Sequence, residues 1–229
     1  MADVDGRREA RTVEQVREYL LTHINFALCR PGVFGGEIAL RIYFDAMAFT
    51  DDREQVWNEK QDSLRARRAF LSTGVRGAFE SLWGAGTYDM AASVYAEFAH
   101  RHGWLRPDRI LSRDGYDKLI GAKKAWCERD RTLEQTLDMF GPPSVYCGGT
   151  SPYFPKTLVY ATGHPQDSLL CFHFWNEFLH LRTDQTALYG EPMLLAVRGE
   201  GSDFADSFTF TPVGTSRCQG ARRSDQLSE

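Results

Sequence analysis

Cys171 and His173 stand two residues apart in the most apolar run of the chain, Leu169 to Trp175. A thiol beside an imidazole is the pairing that turns cysteine into a nucleophile. On a strand, residues two apart share a face, but their Cβ atoms lie about 6.5–7 Å apart, beyond hydrogen-bond reach without favourable rotamers. The expectation is therefore a buried cysteine beside a histidine that bonds elsewhere. Tyr146, Tyr160 and Glu177 complete the catalytic candidates, because with His173 they could line a cleft where helices meet a sheet. Such a cleft would contain a titratable group whose pKa departs strongly from its ordinary value.

Two Glu-x-x-His pairs occur, Glu97/His100 and Glu177/His180. On helices this spacing puts both ligands on one face, as di-iron sites use it. Glu97 and His100 fall off the apolar stripe Ala91, Val94, Tyr95 and Phe98, so they are expected to face solvent, and no metal site is assigned. No phosphate-cradling Gly-x-x-x-x-Gly-Lys loop, dinucleotide fingerprint, His-Glu-x-x-His or Gly-x-Ser-x-Gly elbow is present, and no cofactor is expected. A different chemistry sits in Ser151-Pro152-Tyr153-Phe154-Pro155-Lys156. Two prolines limit the entropy of a loop that presents Tyr153 and Phe154, a combination suited to capturing a protein or a small apolar ligand, the alternative being that the loop folds back to cover the sheet edge.

The elements that hold these residues divide at Gly141-Pro142-Pro143. Before it, apolar residues recur at helical spacing; after it, they alternate. Thr12 with Gln15, Asp52 with Gln55, and Thr132 with Gln135 have the form of capping boxes, and Ser112 is a fourth N-cap. Residues 37–49 fit either period; their length and Ala and Met content favour a helix burying Ala39, Ile42, Tyr43, Ala46 and Met47. The next helix is expected to run to about Leu71 on a thin stripe of Val56, Leu64 and Leu71.

Five strand candidates follow: 145–147, 157–161, 169–175, 193–198 and 207–211. Their connections are too short for crossover helices, so the sheet is expected to be mainly antiparallel. The run 169–175 is apolar on both faces and should be the central strand, with 207–211 at a half-exposed edge. The fold class is α+β: a helical part over 12–140 packed on a sheet over 144–213, read as one compact unit, with flexible tails at 1–11 and 214–229. The layout resembles α+β modules in which helices cover one face of an antiparallel sheet.

Composition bounds the function. The 229 residues carry 27 Lys and Arg against 31 Asp and Glu, without the dense basic field that nucleic acid requires. No apolar run approaches the roughly 18 residues of a membrane span, and the polar N-terminus is no secretory signal. Five widely spaced cysteines suit reduced thiols in the cytoplasm. The expectation is a cytoplasmic, non-catalytic binding protein; the alternative is an enzyme with a cleft at the helix–sheet junction.

Overall fold

The computed structural model describes residues 12–226 apart from 85, 182–183 and 200. The N-terminal tail, positions 227–229 and the His180 side chain lie outside the described residues. Eight α-helices and a five-stranded antiparallel sheet are present among those described.

Helix α1 (Val13–Cys29) begins with the expected box: Thr12 Oγ1 accepts from the Gln15 amide and the Gln15 side chain accepts from the Thr12 amide. Helix α2 (Gly36–Thr50) settles the ambiguous run as helix, but on a different stripe. Leu40, Phe44, Met47 and Ala48 are buried, while Ile42 is 60% exposed. The i, i+4, i+7 set carrying Phe44 wins because that ring fills the space between Trp57, Tyr95 and Trp104, its centroid 5.3–5.7 Å from each of theirs.

Helix α3 (Glu54–Ala66) departs from expectation at both ends. Asp52 takes φ 54° and makes no box; Arg53 is the N-cap, without a side-chain bond. The helix stops at Ala66, where Arg68 turns left-handed at φ 57°, and its buried anchors are Trp57 and Leu64. Helices α4 (Val75–Trp83) and α5 (Tyr88–Arg101) follow. Helix α5 touches α1, α2, α4 and the sheet, so residues beyond the anticipated stripe are buried too, Ala92, Ala96 and Ala99 among them. Small side chains there let helix and sheet approach closely.

Helices α6 (Arg113–Trp126) and α7 (Leu133–Phe140) carry the expected caps, Ser112 on Gly115 and the Thr132/Gln135 box. They lie on the opposite side of the sheet from α1–α5. Both faces are therefore covered, a difference from the one-sided layout.

The sheet contains β1 (Val145–Cys147), β2 (Lys156–Tyr160), β3 (Leu170–Trp175), β6 (Met193–Arg198) and β7 (Phe208–Phe210), in the order β1-β2-β3-β6-β7. All five anticipated strands form, and β3 is central. Val159, Cys171 and Ala196 join the core under α1–α5. Leu158, Tyr160, Phe172 and Val197 join the core under α6 and α7. A register shift on β6, where His173 pairs with Ala196 but Phe174 with Leu194, leaves Leu195 as the extra residue of a bulge.

Two elements were not anticipated. A separate hairpin, β4 (Phe178–Leu181) with β5 (Asp184–Ala187), projects between β3 and β6. Helix α8 (Pro212–Gln226) replaces most of the expected C-terminal tail. Its first turn is seated on the bulge: the Thr211 amide donates to Leu195 O at 2.9 Å, and Thr211 Oγ1 donates to Leu194 O at 2.6 Å. No helix among the described residues is long and apolar enough to cross a membrane.

Candidate functional site

Five side chains proposed for catalysis are held apart by the sheet. Cys171 and His173 face α1–α5, whereas Tyr146 and Tyr160 pack with the α6–α7 core. The Cys171 thiol is fully buried, and burial pushes its pKa up, the reverse of what a nucleophile needs. Its neighbour is Arg198, whose Nη2 lies 3.5 Å from Sγ. His173 turns its Nδ1 to Thr157 Oγ1 at 3.1 Å instead of to the thiol, and no dyad forms. Burial holds His173 far below its ordinary pKa. That is the strong perturbation anticipated at the junction, but its cause is an apolar cage of Phe79, Trp83 and Phe208.

Tyr160 donates its hydroxyl to Gly141 O at 2.9 Å and closes the α7 terminus. Tyr146 is half-buried, which pushes its phenol up to about 12. The Glu97/His100 pair does not face solvent. Glu97 is paired to Arg198 at 3.2 Å, and His100 Nε2 lies 3.1 Å from the His164 carbonyl oxygen. The reason is that α5 is enclosed on nearly every side. Among the described residues, no group of three or more His, Cys, Asp or Glu side chains is placed to hold a metal ion.

An open cleft does exist where helices meet sheet, at the end of β3. It encloses about 540 Å³ between the C-terminus of α4, the start of β6 and α8. Its walls are aromatic: Trp83 from α4, Trp175 from β3, and Tyr189 after the hairpin. Met193, Leu195 and Val213 form apolar floor, and Glu177 stands on the rim. Of the sequence-based catalytic candidates, Glu177 alone lines this cleft.

Arg217 of α8 organises it. The guanidinium carbon lies 4.2 Å from the Trp175 ring centroid, Nε donates to Trp83 O at 2.9 Å, and Nη1 pairs with Glu177 at 3.2 Å. One side chain thus joins α4, β3 and the hairpin root. Gly86 is required here: with φ 93°, any Cβ would meet the Trp175 ring at 2.5 Å. The indole Nε1 groups of both Trp83 and Trp175 are buried without a hydrogen-bond partner among the described residues.

No protein-family model, curated protein or solved structure matches this chain.

Tyr153 and Phe154 remain at the surface, 48% and 47% exposed. The Phe154 ring leans on Phe178 of β4, centroids 5.2 Å apart. Phe178 pairs with Ala187 in the hairpin, and the Leu188 amide bonds the Glu177 carbonyl at 2.7 Å. Asn176 then clamps Tyr189 through its backbone N–H and C=O. Backbone pairing therefore ties the strand under Phe154 to Leu188 and Tyr189, which are half-exposed, the latter in the cleft wall. The proline-flanked loop was a readable signal for the outer end. Trp83, Tyr189 and Arg217 carried none, since they converge only through the hairpin and α8.

Proposed function

We propose that the protein is a non-catalytic binding protein that captures another protein, with the Tyr153–Phe154 shelf and the aromatic cleft forming one recognition surface. The observation that carries this reading is that one hairpin joins them: Phe154 packs on Phe178 of its first strand, and exposed Leu188 and Tyr189, the latter in the cleft wall, follow its second. Aromatic anchors at the edge of a concave apolar site are the composition of interface hot spots. The cleft suits an apolar side chain of the partner. Arg217, already stacked and ion-paired, forms a firm wall for it. A cytoplasmic location belongs to the same reading, supported by free thiols at Cys29, Cys127, Cys147, Cys171 and Cys218.

The test is affinity capture with two proteins, the wild type and the double variant Tyr153→Ala/Phe154→Ala, followed by identification of what each retains. A partner held by the wild type and lost by the variant is expected. That partner, purified, should quench or shift the emission of Trp83 and Trp175. Equal retention by both proteins would remove the shelf from the recognition surface.

A further inference from the structure

A second cavity lies at the other end of β6 and has the opposite chemistry. Met193 at the start of the strand lines the aromatic cleft; Arg198 at its end lines this one, about 17 Å away at the ordinary strand rise. It encloses about 480 Å³ and is bounded by Arg67, Glu97, Arg101, Arg198 and the backbone at Gly199 and Gly201. Lys60 of α3 is electrostatically coupled to this same set. Three guanidinium groups thus line the cavity beside one carboxylate among the described residues, and the Lys60 ammonium acts on the same groups.

We propose that this cavity binds a phosphate group. Its donors are only partly used. Arg198 is almost wholly buried; Nη1 meets Glu97 at 3.2 Å and Nη2 meets Ser93 O at 3.1 Å, but its buried Nε has no partner among the described residues. Arg101 reaches Glu97 at 3.7 Å, its one side-chain ion pair among the described residues. Arg67 gives Nε to Ser202 O and Nη2 to Gly201 O, which anchors the loop after β6. No hydrogen bond to the Lys60 amine is found among the described residues, and burial presses its pKa below the ordinary range against the attraction of Glu97, with Arg101, Arg198 and Arg67 adding to the burial effect. Packing like charges together is unfavourable unless something offsets it, and among the described residues of the lining Glu97 is the carboxylate that does so. A compact oxyanion with two or more charges would offset it further, and arginine forks match phosphate oxygens.

Inorganic pyrophosphate is the probe, titrated calorimetrically into the full-length protein at constant ionic strength, with inorganic phosphate and succinate as parallel arms. Saturable binding of pyrophosphate, stronger than that of succinate, is expected. Arg101→Gln, in the cavity lining, should weaken it about tenfold, the loss of one charge-assisted contact, and Lys60→Gln, whose charge acts on the same groups, should weaken it by less. Their unliganded melting temperatures should equal or exceed wild type, since one like charge is removed, which separates a binding effect from misfolding. The Tyr153→Ala/Phe154→Ala protein should bind pyrophosphate normally, because the two cavities are independent. The proposal is overturned by heat no greater than that of matched potassium chloride, by succinate binding as tightly as pyrophosphate, or by unchanged affinity in the Arg101→Gln protein.

Discussion

The Tyr95 hydroxyl of α5 donates to Glu37 Oε1 of α2 at 2.6 Å, and the same carboxylate caps a third helix. Its oxygens accept from the Val75 and Arg76 amides of α4, each at 2.7 Å. A side chain nearly forty residues upstream thus satisfies two of the free donors at the start of α4, where the helix dipole also favours negative charge. Replacing it by the amide presents donors where donors already point. Glu37→Gln should therefore lower unfolding free energy by about 2–3 kcal/mol, within the cost of leaving buried groups unpaired. Urea denaturation at pH 7.5 measures this, and a loss below a few tenths of a kcal/mol would show that water replaces the cap.

His173 makes stability depend on pH in the acid direction. Its folded pKa is driven far down by burial, whereas the unfolded residue titrates near 6.5. Below that value the unfolded chain takes up a proton that the folded one refuses, so stability falls as pH drops from 7 toward 5. The slope from this residue approaches about 1.4 kcal/mol per pH unit. His173→Asn should be less stable at pH 7.5 yet show a flatter profile over this window. An identical slope in wild type and variant would mean that the ring titrates normally.

Asp89 acts in the opposite sense. Burial at the start of α5 pushes its carboxyl up to about 6, against the attraction of Lys156 and Arg30. The folded protein holds this proton over a range where the unfolded chain has released it, so stability falls as pH rises from about 4 to 6. Asp89→Asn should abolish that component and be at least as stable as wild type at pH 7.5. A clear loss at pH 7.5 would show that the attraction of Lys156 and Arg30 outweighs burial.

Gly214 tests the C-terminal helix. A Cβ at this position would lie 1.9 Å from Leu195 O, the carbonyl that the β6 bulge turns toward α8. Gly214→Ala should cost about 2 kcal/mol or more, as overpacking of a closed contact does. Since α8 carries Arg217, the variant should also loosen the cleft and red-shift tryptophan emission. A melting temperature equal to wild type would indicate that α8 sits less tightly than its contacts imply.

The contrast at α8 explains what could be read in the residues alone. Strands β1, β2, β3, β6 and β7 were legible because each is a short apolar or alternating run between Gly, Pro and Asp punctuation. Helix α8 was not, because its own stripe is thin: Val213 is only half-buried and Cys218 is its buried apolar anchor. Its position comes from Thr211 and the Leu195 bulge, contacts made across the sheet. The hairpin escaped notice because Arg182-Thr183 lacks the Asn-Gly or Gly-Gly signature of a tight turn. For the site, local pattern identified the Tyr153–Phe154 loop but put Glu97 in solvent. It sits under Arg198, a residue 101 positions away.

A sheet covered on both faces raises a problem of pairing specificity. When one face is wet, a slip of one residue exposes apolar side chains, and that penalty enforces alignment. Here both faces of β2 and β3 are apolar, and a slip would exchange one buried set for another. What breaks the degeneracy is a pair of polar matches within the greasy lattice. Thr157 pairs directly with His173 and hydrogen-bonds it; Cys171 pairs directly with Arg198, which in turn requires Glu97. Misaligned strands would strand a guanidinium or an imidazole against hydrocarbon. These residues work as the notches of a key: they contribute little adhesion, and they ensure that adhesion occurs in one alignment.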